Sequence, residues 1–160
     1  MDYIQLQSPY SGSTFITGLV LACVGVFFIV LMIALLGNAR GSVALAALAL
    51  FLIGAAFIAG GCVTIQHHAD DVGDRNIALF ESSYGIRRDS ILPTQGSRDP
   101  AYDISYGGIS DIREMRVQGR KGVETKAYTI DRMNRLRLYN GFGTEGAPVK
   151  PSGGQPARPA

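Results

Sequence analysis

The sequence predicts a membrane protein in two parts: a two-helix transmembrane hairpin, followed by a small α+β domain with one helix and a three- or four-stranded antiparallel meander. Three observations carry this reading. Two long apolar runs lie close together near the N-terminus. Almost all the charge lies beyond them: residues 1–65 hold one acid, Asp2, and one base, Arg40, whereas residues 66–160 hold 12 acids and 14 bases. In that polar part, alternating apolar positions flank a Gly-bounded turn.

The N-terminal segment 1–14 is polar and carries no Lys or Arg. The first apolar run is FITGLVLACVGVFFIVLMIALL, 15–36, and the second VALAALALFLIGAAFIAGGCVTI, 43–65. Each exceeds the roughly 20 residues that cross a hydrocarbon core of about 30 Å. Neither contains a charge, which at mid-bilayer would cost at least about 2.5 kcal/mol. Both are apolar on every face, unlike the amphipathic helices of a soluble core. A cleaved leader fits 15–36 poorly, because the basic flank is missing and the run is longer than a typical leader's apolar region. "GNA" at 37–39 and "VLAC" at 20–23 have cleavage-like composition only.

The runs are separated by "GNARGS", 37–42. That is enough to reverse the chain and too little for a domain, so 15–65 reads as a tight antiparallel hairpin with both termini on one side. Small residues mark where the helices can touch. They are Gly18, Ala22 and Gly25 in the first helix, and Gly54, Ala55, Ala56, Ala59 and Gly60 in the second. Pairs four apart, Ala55/Ala59 and Ala56/Gly60, are of the kind that lets helix backbones approach in lipid. They serve either packing within the hairpin or self-association. Cys23 and Cys62 fall inside the runs and read as small apolar fillers. No Cys remains for a disulfide or zinc site in the polar part. Basic residues near helix ends favour the cytoplasmic side. Arg40 in the loop competes with Arg75, Arg87 and Arg88 beyond the second run, which are diluted by Asp70, Asp71 and Asp74. Because most basic charge lies in the tail, both termini are expected in the cytoplasm, in a bacterial inner (plasma) membrane.

The seam "VTIQHHADDVGDR", 63–75, carries both histidines of the chain. His67 with Asp70 and Asp71 are the candidate ligands for a divalent metal. A closed site needs three or four convergent ligands, and the neighbouring His68 points about 100° away on a helix. The simpler reading is the depth at which a helix enters water, with no metal held. The same histidines are the groups expected to titrate near neutral pH.

The polar domain is read as residues 66–142. Asp74 as N-cap, the stripe Ile77, Phe80, Tyr84 and a terminal Gly85 predict a short helix over 75–84, continuing from the second run with a kink near Gly73. "IRRDSIL", 86–92, is a candidate strand ending at Pro93, and 94–101 reads as a loop. REMRVQ (113–118) and VETKAYTI (123–130) about "GRKG" predict a hairpin. After a turn at 131–134, "RLRLY" (135–139) predicts a third strand. The helix stripe is expected to cover the apolar face of the sheet. A core this small seldom supplies more than about 3–5 kcal/mol, so dimerisation is expected to help. The Pro/Gly-rich segment 143–160 has too little apolar bulk to order and reads as a disordered tail.

Arg116, Lys126, Arg135 and Arg137 on the strands, with Arg120 and Lys121 in the turn, form a candidate positive face for anionic lipid, at about 1 kcal/mol per basic residue near the surface. Glu114, Glu124 and Asp131 are interspersed, so a nucleic-acid partner is not expected. No catalytic constellation is found. "YGGISD" lacks the phosphate-loop spacing, and "ESSYG" does not meet the nucleophile-elbow pattern. No enzyme activity and no cofactor are expected.

The hairpin, a short helix ending in "LFESSYG", a small meander and a Pro/Gly tail together resemble small two-helix membrane proteins of actinobacteria and their phages. The bias of 12 Arg to 3 Lys suits a GC-rich genome. The resemblance is architectural and implies no site residues. The expected function is a non-enzymatic, membrane-anchored accessory or interaction protein whose α+β domain binds another membrane protein or its own copies. The alternatives are a phage or prophage protein of holin or superinfection-exclusion type, and a membrane-anchored sensor acting at the His/Asp seam.

Overall fold

The structure, a computed structural model, describes residues 2–37, 43–93, 99–141 and 146–152. The chain divides into two compact units. One is Tyr10–Asp70; the other joins Met1–Pro9 to Asp71–Ala160. The loop residues 38–42 with Arg40, and the tail beyond Ser152, lie outside the described residues.

The first unit is the helical hairpin. It holds α1, Ser13–Leu36, and the larger part of α2, Val43–Tyr84. Both helices are long and apolar enough to cross a membrane. Gly18 and Gly25, buried in α1, face α2. A Cβ on Gly18 would lie 3.0 Å from the carbonyl oxygen of Gly61, and one on Gly25 would lie 2.6 Å from that of Gly54. Side-chain volume there would force the backbones apart, so these glycines set the closest approach of the helices. Phe28 stacks on Phe57 at 6.0 Å between ring centroids further along the same seam.

The second unit is built around an antiparallel sheet of six strands among the described residues. Its strands are β1 (Ile4–Gln5), β2 (Ile91–Leu92), β3 (Arg113–Gly119), β4 (Gly122–Ile130), β5 (Arg135–Asn140) and β6 (Ala147–Val149). The order is β1-β5-β4-β3-β2, with β6 also on β5. β3, β4 and β5 fall within a residue of the expected strands, because each carries enough alternation to show. Their buried positions, Met115, Val117, Tyr128, Ile130, Leu136 and Leu138, share one face. Ile77 and Phe80 from the end of α2 close over it with Tyr84 packed alongside, as the helix stripe predicts.

Several expectations are corrected. The sheet has more strands than the predicted three or four, because short segments from distant parts of the chain cap its edges. The segment 1–14 is more than a polar lead: β1 pairs with β5, Ile4 opposite Leu136 and Gln5 opposite Arg135, and Ile4 and Leu6 enter the core. The stretch read as a disordered tail supplies β6, with Val149 opposite Leu138, and Ser152 then bonds through its amide and hydroxyl to the Ser83 carbonyl. Edge pairing uses backbone groups, so an apolar-poor stretch can join. The 86–92 strand shrinks to a 3-10 turn, Arg88–Ser90, and the two-residue β2. The loop read over 94–101 ends early, because α3, Pro100–Tyr106, begins at Pro100. Asp99 caps it by accepting from the Ala101 amide at 3.0 Å, and Pro100 occupies the first helical position. The helix over 75–84 does continue from the second run, as expected. It is the uninterrupted end of α2, which stops where Gly85 takes φ +66°. Gly73 sits inside that helix, where a Cβ would stand 3.3 Å from Cβ of Ser105, so the glycine admits α3 alongside.

Candidate functional site

The hairpin interface brings together some of the predicted packing residues and not others. Gly18, Ala22 and Gly25 of α1 all face α2. On α2 the contact falls on Gly54, Ile58, Gly61 and Ile65. A Cβ on Gly61 would lie 2.6 Å from the Gly18 carbonyl oxygen, 2.8 Å from the Ala22 amide and 3.1 Å from the Ala22 Cβ. Ala56, Ala59 and Gly60 are exposed, Ala55 is half-buried, and a Cβ on Gly60 would meet nothing within 4 Å. Within the hairpin, the α2 glycines at the contact are thus Gly54, which the sequence reading included, and Gly61, which it did not. The signal that identifies them is spacing. Gly18 and Gly25 are seven apart, and so are Gly54 and Gly61. Two glycines at heptad spacing on each antiparallel helix meet as Gly18 with Gly61 and Gly25 with Gly54. Thr17 donates to the Ser13 carbonyl at 2.9 Å and Thr64 to the Gly60 carbonyl at 2.8 Å, each on its own helix.

The His/Asp seam does not assemble as a metal site. Among the described residues no three His, Cys, Asp or Glu side chains group to hold an ion. His67 is exposed. His68 reaches the carbonyl oxygen of Ser11 through Nε2 at 2.8 Å. A carbonyl only accepts, so in this bond Nε2 carries the hydrogen. Gly12, at φ +101°, lies under that ring, with His68 Cε1 3.6 Å from where a Cβ would be. His68 therefore fastens the start of α1 to α2.

The candidate positive face is divided by the sheet. Arg116 lies opposite Thr125 and Arg137 opposite Thr129, both on the face away from the core. Four positions along β4 and two strand spacings across it put them about 16 Å apart. Glu114, opposite Ala127, stands in the row between them. Lys126, opposite the buried Met115, lies on the other face, where its ammonium stands 3.3 Å from Asn140 Oδ1 and 3.5 Å from Glu124 Oε2. Arg135 is engaged locally: its Nε is 2.7 Å from Asp131 Oδ2, and its guanidinium lies 5.2 Å from the Tyr3 ring centroid. Partial burial disfavours the Asp131 carboxylate. The amides of Arg135 and Met133 and the Arg135 guanidinium outweigh that and hold its pKa below the ordinary value. Arg120 and Lys121 sit in the β3–β4 turn. The six residues do not converge on one patch.

Two polar clusters inside the sheet unit escaped the sequence reading. Asp103 of α3 is buried and accepts from the Tyr128 hydroxyl at 2.8 Å, with Arg113 Nη1 3.5 Å from the same oxygen. Burial, and then the Asp103 carboxylate beside it, push the Tyr128 pKa well above that of a free phenol. Asn76 of α2 is also buried. Its side chain accepts from the Gln7 amide at 2.8 Å and donates to the carbonyls of Gln7 (3.0 Å) and Ser105 (2.8 Å). One side chain thus ties α2, the N-terminal segment and α3 together. The Asn76 cluster is a fully bonded network of the kind that specifies a core. Nothing in the sequence marks Asn76, because its partners are far away along the chain.

An open groove of about 640 Å³ lies beside β2, lined by Glu81, Arg87, Asp89, Ile91, Pro93 and Asp99 among others. Arg87 pairs with Asp89 at 2.6 Å, and Glu81 accepts the Arg88 amide at 2.7 Å, so much of its charge is already matched. The chain matches no protein-family model, and comparisons with curated proteins and with solved structures give no match.

Proposed function

We propose that this chain is a non-enzymatic accessory protein of the bacterial inner membrane, in which the α1–α2 hairpin spans the bilayer and the sheet unit is the module that binds a partner protein. The observation that carries the reading is the placement of β1. Ile4 and Leu6 precede the first apolar helix, yet they share a core with Met115, Tyr128 and Leu136, which follow the second. A cleaved leader leaves its N-terminal flank on the opposite side of the membrane from the mature domain, and that is incompatible with β1 in the sheet. Two crossings return the chain to the same side, as β1 requires. The apolar windows of the helices also suit lipid better than a soluble core, since only 6% and 11% of them are buried within the chain. The charge distribution favours the cytoplasm for both flanks.

The glycine-lined seam, with both threonines bonded to their own helices, supports an anchor over a permeabilising pore. The full-length protein is expected to stay with membranes through an alkaline carbonate wash. Cysteines placed at Gln7 and at Arg88 are expected to react with an impermeant reagent from the same side. Release by carbonate, or labelling from opposite sides, overturns the anchor. Dye leakage from vesicles bearing the protein would favour the permeabilising class instead.

A further inference from the structure

The sheet unit has two ends. Its connections to the hairpin helices leave at Pro9 and Asp71. β1 runs towards the β4–β5 turn, where the Leu6 amide donates to the Asn134 carbonyl at 2.9 Å and Gln5 Nε2 to the Met133 carbonyl at 2.6 Å. On the other flank, Gly73 lies against Ser105 and Tyr106, and Gly107 against Asn134. Both connections therefore reach the unit at the end that holds the β4–β5 turn and the 107–112 loop. The β3–β4 turn with Arg120 and Lys121 is at the other end, about 20 Å away along β3.

The exposed large apolar side chains of this unit follow the same division. They are Tyr102 (45% exposed), Ile112 (46%), Met133 (68%) and Val123 (46%). Tyr102 packs against Tyr106, with ring centroids 4.7 Å apart and the planes tilted by 43°. Ile112 immediately precedes β3, and Met133 is in the β4–β5 turn beside the exposed Arg132. Among the described residues, only Val123 belongs to the far end. Met adapts to irregular apolar surroundings, Tyr pairs an apolar ring with a polar tip, and Arg can extend its head to phosphate while its stem stays in apolar material. Tyr enrichment and basic residues are what the membrane–water interface selects.

We infer that the β4–β5-turn end of the sheet unit rests on the lipid headgroup layer, with Met133, Ile112 and Tyr102 as apolar contacts and Arg132 on anionic headgroups. This rests on the membrane-anchor reading above. It moves the lipid contact away from Arg116, Arg120, Lys121 and Lys126.

The test uses the full-length chain in vesicles of phosphatidylcholine and phosphatidylglycerol, with Cys23→Ala and Cys62→Ala as background. Single fluorophore-labelled variants Met133→Cys, Ile112→Cys, Val123→Cys and Val30→Cys are quenched with lipids spin-labelled in the headgroup or in mid-chain. Headgroup quenching is expected to be severalfold stronger at 133 and 112 than at 123, and mid-chain quenching strong at 30. Equal quenching at 133, 112 and 123, with 30 still quenched, overturns the inference and leaves the anchor standing. A blue-shifted but unquenched probe at 133 assigns this end to protein, such as a second copy, and also overturns it. No mid-chain quenching at 30 removes the anchor reading itself, and the inference with it.

Discussion

Asn76 shows how much one unremarkable side chain can hold. Replacing it by Ala leaves the Gln7 amide and the carbonyls of Gln7 and Ser105 without their partner, at about 1–3 kcal/mol for each buried group left unsatisfied. Asn76→Ala is therefore expected to lower the urea midpoint of the strand signal sharply, whereas Gln118→Ala on the exposed face of β3 leaves it within error. A second consequence concerns pH. Burial raises the Tyr84 pKa to about 12 and also raises that of Tyr128, while tyrosines in an unfolded chain titrate near 10. A group whose folded-state pKa is raised gives its full stabilisation below the unfolded value and loses it as pH climbs towards the folded one. The sheet unit is thus expected to be pH-independent in this respect up to about 10 and to weaken between about 10 and 12. Ultraviolet tyrosine titration alongside circular dichroism measures both. Tyr84→Phe should reduce the loss over that interval, and an unchanged profile would remove Tyr84 from the account.

At the scale of elements, the glycines of the hairpin make opposite demands although some are neighbours. Gly61→Val puts atoms where a Cβ alone is already 2.6 Å from the Gly18 carbonyl oxygen, while Gly60→Val extends into open space. Overpacking of this kind costs about 1–3 kcal/mol, so the detergent-solubilised Gly61 variant is expected to aggregate at a distinctly lower temperature than wild type, and the Gly60 variant at the same one. Equal behaviour of the two would put the helix contact elsewhere. These elements also mark where sequence reading stops. The apolar runs and β3 to β5 are legible because each repeats its pattern long enough to be recognised. β1, β2 and β6 have two or three residues each, too few for any period. α3 is a different case, since its Asp-Pro start and Gly107 end are in the sequence but only two helical turns separate them. Gly73 is a further case, since nothing local shows that a Cβ there would stand 3.3 Å from the Cβ of Ser105.

For the whole molecule, the division into an apolar part and a polar part is written in the charge distribution, but the membership of the first nine residues is not. Their role is long-range pairing, which no local pattern encodes. Truncating Ile4 and Leu6 together to Ala is expected to cost about 2–5 kcal/mol for each, comparable with or above the roughly 3–5 kcal/mol that a core of this size supplies. Limited proteolysis should then cut within β3 to β5 while the hairpin remains protected. Unchanged resistance would mean that β1 is dispensable. The pairing of Ile4 with Leu136 also sets an order of events during synthesis. The two positions are 136 − 4 = 132 residues apart, and at about 5–20 residues per second the ribosome needs about 7–26 s to travel between them. The segment translated first must stay soluble, unpaired and on the correct side while both apolar helices emerge, and it finds its neighbour only when β5 appears. A stretch of nine residues with two buried aliphatic side chains is short enough to wait in that way without attracting other strands. Lengthening its apolar content is expected to slow maturation before it alters the finished fold, and pulse-chase protease protection would follow this directly.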